Sequence, residues 1–270
     1  MKSVNDLYLE LYTSAMEQDE VEQREYLSMV SEHRKISVDY LISIGALFIP
    51  NENYIAYHLG QDLVSTNNCF YFNGKCLWTL FVIVPIRDLT GDVIAINGWD
   101  AYNKYKEVEN GEQGLPMYKL SSKYIFPKEK YFFSDVECLK RNFDKRVVFI
   151  TDGMFDTLSL CYRDIPAIAL LGSSFTVENL FFLKWFKVVY VCADNDAAGN
   201  RLYNQLKLAL PKVYRVYQDS TKDIEELLRA DGIDGPITKK IKESVDNPIG
   251  DIILGESFRR FRGAPRFKAD

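Results

Sequence analysis

An apolar, β-branched run that stops on two carboxylates constrains this chain more than any other feature. Residues 186–199 read F-K-V-V-Y-V-C-A-D-N-D-A-A-G. Val188 to Cys192 has the composition of a strand buried on both faces. Asp194 and Asp196 follow it, and small residues then open a helix. In an open parallel α/β sheet, ligands gather outside the carboxyl ends of the strands. Two acids one residue apart at such an end suit a divalent ion such as magnesium, which binds through few carboxylates and keeps several waters. The same residues also suit a solvated turn with an acidic helix start, because Asp is favoured near helix N-termini. On this stretch alone both readings stand.

The run belongs to a series. From Arg146, V-V-F-I-T-D-G is followed by helical spacing from Met154 to about Tyr162, then I-P-A-I-A-L-L-G-S-S and a helix near residues 176–186. After the run above come a helix from Ala197 to Leu210, K-V-Y-R-V-Y and a short helix after Lys222. This alternation predicts a mainly parallel sheet flanked by helices. Acids recur at its junctions. Asp152 ends its strand as Asp194 ends another, and Asp156 lies four residues on, where an i, i+4 relation keeps both on one side. T-K-D-I-E-E-L-L places Asp223 and Glu225 where a third strand gives way to a helix. Acids from three junctions therefore collect on one rim. Such a set, lacking histidine, fits Mg2+- or Mn2+-assisted chemistry on phosphates. One ion can lower the pKa of a hydroxyl nucleophile while a second stabilises the leaving oxygens.

The first half of the chain is patterned differently. Residues 4–30 have helical spacing through Leu7, Leu11 and Met16, and a second helical stretch runs from Ser37, a fitting N-cap, to Ile44 before Gly45. F-I-P-N-E-N then reads as a turn. From Cys69 to about Phe133 strands and turns take over, with Asn73-Gly74 as a two-residue hairpin signal and a second turn at Thr90-Gly91-Asp92. Residues 103–115 read as a loop. Lys119, Lys123, Lys128 and Lys130 then interleave with aromatic residues, which suits a single nucleic-acid strand and equally a lysine-protected sheet edge. The tail from Gly235 ends in F-R-R-F-R-G-A-P-R-F-K, a basic arm or a docked terminus.

Composition excludes several classes. No run of about 18 apolar residues exists, so no membrane span is expected, and M-K-S-V-N-D-L lacks a signal region, which points to the cytoplasm. The five cysteines form no C-x-x-C pair and only His33 and His58 are available, so no zinc site is expected. Both histidines read as structural, which argues against Ser-His-Asp and Cys-His catalysis. The net charge of −5 does not advertise a nucleic-acid binder, so phosphate contacts must come from local patches.

Taken in order, V-V-F-I-T-D-G-M-F-D-T-L-S-L, A-L-L-G-S-S-F-T, V-V-Y-V-C-A-D-N-D-A-A-G and K-D-I-E-E-L-L resemble the Toprim domain of bacterial DnaG-type primases. Upstream, V-P-I-R-D-L-T-G-D-V-I-A-I-N-G and F-P-K-E-K-Y-F-F look like the N-terminal half of that family's RNA polymerase core. R-E-Y-L and I-S-V-D-Y-L-I-S-I-G-A-L-F-I-P are similar to its helical start. The resemblance covers roughly residues 20–232. It implies an α/β fold with an α+β N-terminal half: a Rossmann-like parallel Toprim sheet with flanking helices, preceded by a mixed helical and antiparallel β subdomain. The expected division is a helical lead-in over 1–60, a mixed β/α subdomain over 61–145, the Toprim domain over 146–235 and a basic tail over 236–270.

The resemblance also implies two-metal synthesis of RNA primers from NTPs on a single-stranded DNA template during replication. Its metal-binding acids fall on Asp152, Asp156, Asp194, Asp196, Asp223 and Glu225, with Asp152, Asp194 and Asp196 nearest the chemistry. Its surviving basic positions are Arg87 and Lys128, near template or nucleotide phosphates. The departures are Asp152 where the family has Glu, Asn97-Gly98-Trp99 for Gly-Gly-Arg, and Pro116-Met117-Tyr118 for Pro-Lys-Tyr, with Lys119 as a substitute cation. The family's zinc module and helicase-binding domain have no counterpart here. That suggests a phage or mobile-element primase acting in the host cytoplasm, with a replicative helicase or a separate zinc-binding subunit as partner. A Toprim nuclease and a non-catalytic nucleic-acid-binding relative share enough of these features to stand as alternatives.

Overall fold

The computed structural model describes residues 2–60, 70–72, 75–100, 132–170, 176–194, 196–218, 223–248 and 250–254. The chain divides into two compact units, Met1–Glu129 and Lys130–Asp270. The lysines 119, 123, 128 and 130, the loop expected over 103–115, Met117 and the basic stretch after residue 254 lie outside the described residues.

In the first unit, α1 (Val4–Gln18) begins in a capping box: Ser3 accepts from the Asp6 amide, and Asp6 accepts from the Ser3 amide. Its buried residues Leu7, Tyr8, Leu11 and Ala15 follow i, i+4 spacing. Asp19 breaks the helical spacing into α1 and α2 (Glu20–Arg34), and Lys35 closes α2 in the left-handed conformation. Ser37 caps α3 (Val38–Ser43), as expected. The turn read over residues 48–53 is present at 51–53, between two elements that were not expected. Leu47–Phe48 form β1, and α4 (Tyr54–Leu59) follows it. Both escape a sequence reading because two paired residues and six helical ones are too short to show a period.

β2 (Tyr71–Phe72) and β3 (Lys75–Cys76) pair antiparallel on either side of residues 73–74, the register a two-residue loop demands. β4 (Phe81–Arg87) and β5 (Val93–Asp100) form the expected second hairpin, and β1 adds to β4 to give the order β1-β4-β5. β1 pairs only with Val82 and Ile83, so Pro85 meets no ladder partner on that side. The side chains of α1 and α4 pack on this sheet around Leu47, Trp78, Ile83 and Ile96. His58 is a structural residue, as expected. Its side chain is fully buried, with Nδ1 3.0 Å from Ser14 Oγ and Nε2 3.0 Å from Asp19 Oδ2, which ties α4 to α1.

The second unit starts with α5 (Val136–Arg141), capped by Asp135, and a single 3-10 turn. Its sheet comprises β6 (Val147–Thr151), β7 (Ala167–Ala169), β8 (Val188–Val191), β9 (Val213–Tyr217) and β10 (Ile252–Ile253). The order is β10-β9-β8-β6-β7 and all four pairings are parallel. Connecting them are α6 (Met154–Cys161), α7 (Val177–Leu183), α8 (Ala197–Ala209), α9 (Ile224–Asp231) and α10 (Pro236–Asp246). Every residue of β6 and β8 is buried, as runs without alternation require in a sheet covered on both faces. The sequence after Gly235 takes the docked alternative as far as Leu254: α10 leads into β10, which extends the sheet beyond β9. Among the described residues no helix is long and apolar enough to cross a membrane, and Cys76, Cys138, Cys161 and Cys192 are unbridged.

Candidate metal centre

The strand order brings the acids together. β8 lies between β6 and β9, so the three junctions singled out in sequence are neighbours in space. In the parallel register Ile150 stands opposite Val191, so Asp152 and Asp194 both leave the sheet just beyond its C-terminal edge. Asp156 sits in the first turn of α6, and Asp223 and Glu225 open α9 after β9.

Each acid is held differently. Asp196 caps α8 by accepting from the Gly199 amide at 2.8 Å, and Asp223 caps α9 by accepting from the Glu226 amide at 2.7 Å. The helix-start reading of these aspartates is therefore realised, and each cap engages only one carboxylate oxygen, Oδ1. Asp156 Oδ1 accepts the Glu225 amide at 3.2 Å, which ties α6 to α9. Gly153 makes room for this carboxylate, since a Cβ there would lie 2.4 Å from Asp156 Oδ2. Glu225 is only 2% exposed and lies 3.8 Å from Arg229, so it is the most enclosed of the six. Asp194, Asp196 and Asp223 are exposed, whereas Asp152 and Asp156 are half-buried.

The electrostatics record the crowding. Burial, then the negative charge of Asp194 and more weakly of Asp196 and Asp223, pushes Asp152 up to about 6. Burial, then the charges of Asp223 and Asp152, raises Asp156 well above the ordinary carboxylate range. Partial loss of water, then Asp196 and Asp223, raises Asp194. Among the described residues, none of Asp152, Asp156, Asp194, Asp196 and Asp223 is paired with a lysine or arginine. Nor do any three His, Cys, Asp or Glu side chains among them converge into a preformed metal cage. An uncompensated rim of hard oxygen donors without a cage fits an ion that takes few protein ligands and keeps its waters, as magnesium does.

Sequence reading missed the residues that hold the rim. Thr151 Oγ1 and Thr157 Oγ1 are 2.7 Å apart, and Thr151 Oγ1 also donates to the Gly153 carbonyl, shaping the turn that carries Asp152. Arg215 on β9, 2% exposed, donates from Nη2 to the Asp194 carbonyl at 2.9 Å and from Nη1 to Asn200 Oδ1 at 2.6 Å. Gln218 Nε2 donates to the Cys192 carbonyl at 2.9 Å. Gly199 is packed so tightly that a Cβ would fall 2.0 Å from the Asp194 carbonyl oxygen. One signal existed. In K-V-Y-R-V-Y, period 2 puts Arg215 in phase with the core-facing Val213.

The basic positions are less informative. Arg87, in the first unit, is half-buried and donates from Nη1 to the Gly91 carbonyl at 2.8 Å, closing the β4–β5 turn. At Trp99, where the resemblance expects Arg, the guanidinium of Arg34 lies 5.2 Å from the ring centroid, so α2 supplies a cation beside that position.

A family model described as Toprim-like matches residues 149–228, the segment that carries all six acids. No curated protein matches the sequence significantly. Among solved structures, a DnaG catalytic core is similar with a TM-score of 0.67 at 19% identity, covering 90% of this chain and 80% of that one. A DnaG primase catalytic domain bound to ssDNA gives 0.65 at 20%, covering 89% and 78%. The E. coli primase catalytic core gives 0.63 at 21%, covering 89% and 77%. The chain has the fold of the DnaG primase catalytic core, with a Toprim-like parallel sheet as its second unit.

Proposed function

We propose that the chain is a primase-type nucleotidyltransferase that joins NTPs into a short RNA on a single-stranded DNA template with Mg2+ or Mn2+. The observation that carries this reading is the arrangement of three adjacent parallel strands, β6, β8 and β9, each followed by acids at the start of the next helix. The Toprim-like match over residues 149–228 supports it, and so does the likeness to a primase domain bound to ssDNA.

Asp194 and Asp196 would hold the divalent ion. Asp223 and Asp156 complete the acidic surround, with Glu225 supporting from its buried position. When bound, such an ion would supply positive charge beside the phosphates and would favour ionisation of the attacking hydroxyl. Asp152, at the end of β6, assists at the attacking 3′-hydroxyl. A bond forms from that oxygen to the α-phosphorus, and the bond to the departing pyrophosphate breaks. Arg87 and the lysines 119, 123, 128 and 130 are the candidate contacts to template and nucleotide phosphates. A replicative helicase or a zinc-binding subunit is the candidate partner, and a phage or mobile element the candidate source.

A second reading, a nucleic-acid-binding relative without chemistry, draws on the absence of a three-ligand cluster among the described residues and on Trp99. The test is incubation with single-stranded DNA, labelled NTPs and magnesium or manganese. Template-dependent short RNA that disappears in Asp194→Ala supports primer synthesis. Shortened DNA indicates a Toprim nuclease, and retained binding with no product under either metal indicates the non-catalytic relative.

A further inference from the structure

The buried guanidinium of Arg215 has no evident reason to be in the core of an α/β unit unless it holds something. A buried cation is costly unless it is paired or hydrogen-bonded. Its two terminal nitrogens are directed at one place. Nη2 reaches the main-chain carbonyl of Asp194, and Nη1 reaches Asn200 in the first turn of α8. The rings of Tyr203 and Tyr217 lie 5.6 and 5.7 Å from the guanidinium carbon. Its own amide donates to Asp251 Oδ1 at 2.7 Å, which pins this point of β9 to the start of β10.

What is so clamped is Asp194, which follows β8, and the first turn of α8 that Asp196 caps. From the other side Gly199 packs against the same Asp194 carbonyl, where even a methyl group does not fit. Asp196 then caps the helix whose first turn Arg215 holds through Asn200. A planar guanidinium with two directed N–H groups fixes both points at once, which an ammonium cannot do.

We propose that Arg215 is the positioning residue of Asp194 and Asp196. Without touching substrate or ion, it sets the separation and aim of the two carboxylates by bridging the Asp194 carbonyl to Asn200. This rests on the metal-site reading above. Second-sphere groups of this kind typically change metal affinity by about 10- to 100-fold when removed.

The test compares the parent protein with Arg215→Met, Arg215→Lys and Asn200→Ala, using Mn2+ binding by calorimetry and hydrogen exchange of the Gly199 amide without metal. Far-UV circular dichroism checks folding. We expect Arg215→Met to weaken Mn2+ binding by about tenfold or more and to speed Gly199 exchange. Asn200→Ala should do both to a lesser degree, and Arg215→Lys should rescue only part. If folded Arg215→Met keeps the parent's Mn2+ affinity and Gly199 protection, the proposal is overturned. Should Arg215→Met fail to fold, the exposed Asn200→Ala decides by the same two readouts. If the parent itself binds no Mn2+, the metal reading fails, and Gly199 exchange alone decides whether Arg215 positions Asp194 and Asp196.

Discussion

Asp156 Oδ1 accepts the backbone N–H of Glu225 at 3.2 Å across 69 residues of chain. A side chain expected to serve as a metal ligand thus also joins the two helices that flank the site, and its two roles respond oppositely to substitution. Asp156→Asn keeps an acceptor but removes a charge from a crowded rim, so the metal-free protein should melt at a higher temperature than the parent at pH 7. Asp156→Ala loses the acceptor too and should be less stable than Asp156→Asn by about 1 kcal/mol. Both should weaken Mn2+ binding. Thermal melts in EDTA and a Mn2+ titration check these outcomes.

The raised carboxylates make the metal-free protein pH-sensitive in a defined direction. Asp152 moves from its ordinary 3.8 to about 6 on folding, and Asp156 and Asp194 move the same way. Between those values the folded state holds more protons than the unfolded one, so stability falls as pH rises. Asp152 alone should contribute a fall of about 2 kcal/mol between pH 4 and pH 7. Saturating Mg2+ should flatten the slope, because the ion neutralises the same repulsion. Urea unfolding at several pH values, with and without Mg2+, gives the slope; a metal-free protein that gains stability from pH 4 to pH 7 would contradict it.

Gly199 shows that helix propensity is the smaller effect here. Alanine is the better helix former by about 1 kcal/mol, yet its Cβ would come within 2.0 Å of a backbone oxygen that has no rotamer to yield. Gly199→Ala should therefore destabilise by about 2 kcal/mol and weaken Mn2+ binding through the displaced Asp194. Calorimetric unfolding beside a metal titration measures both.

Arg163 is a second buried arginine with a structural task. It donates from Nη1 to the Ser159 carbonyl at 2.8 Å, from Nη2 to the Leu228 carbonyl at 2.7 Å, and from Nε to the Gly232 carbonyl at 3.3 Å. These bonds satisfy carbonyls at the ends of α6 and α9, the helices that carry Asp156 and Glu225. Arg163→Met removes three charge-assisted bonds at once, while the Leu228 carbonyl keeps the Gly232 amide and the Gly232 carbonyl keeps the Thr238 hydroxyl; it should cost about 2 kcal/mol, with a drop in Mn2+ affinity that parallels the loss of α9 order in hydrogen exchange.

Much of this architecture is legible in the residues. The uninterrupted apolar runs of β6 and β8 announce strands buried on both faces, and the residues after each announce a turn into a helix. Asn73-Gly74 and Thr90-Gly91-Asp92 mark two hairpins because their conformational preferences are local. β1, α4, α10 and β10 are less visible. β1 and β10 are two residues long and exist only because a neighbouring strand offers them hydrogen bonds.

By itself, the sequence determined the strand-to-helix alternation and the placing of an acid at three strand ends, because both follow from local spacing and from the direction in which a parallel strand runs. Only the tertiary structure decided that those three strands are adjacent, with β8 in the middle. It also decided which acids are exposed, which cap helices and which is buried, and it revealed two buried arginines bonded to the backbone of the segments that carry them. Adjacency and burial arise from contacts between residues far apart in the chain, such as Arg215 with Asp194 and Asp156 with Glu225, and no local pattern encodes the energy of a contact that forms only when the sheet closes.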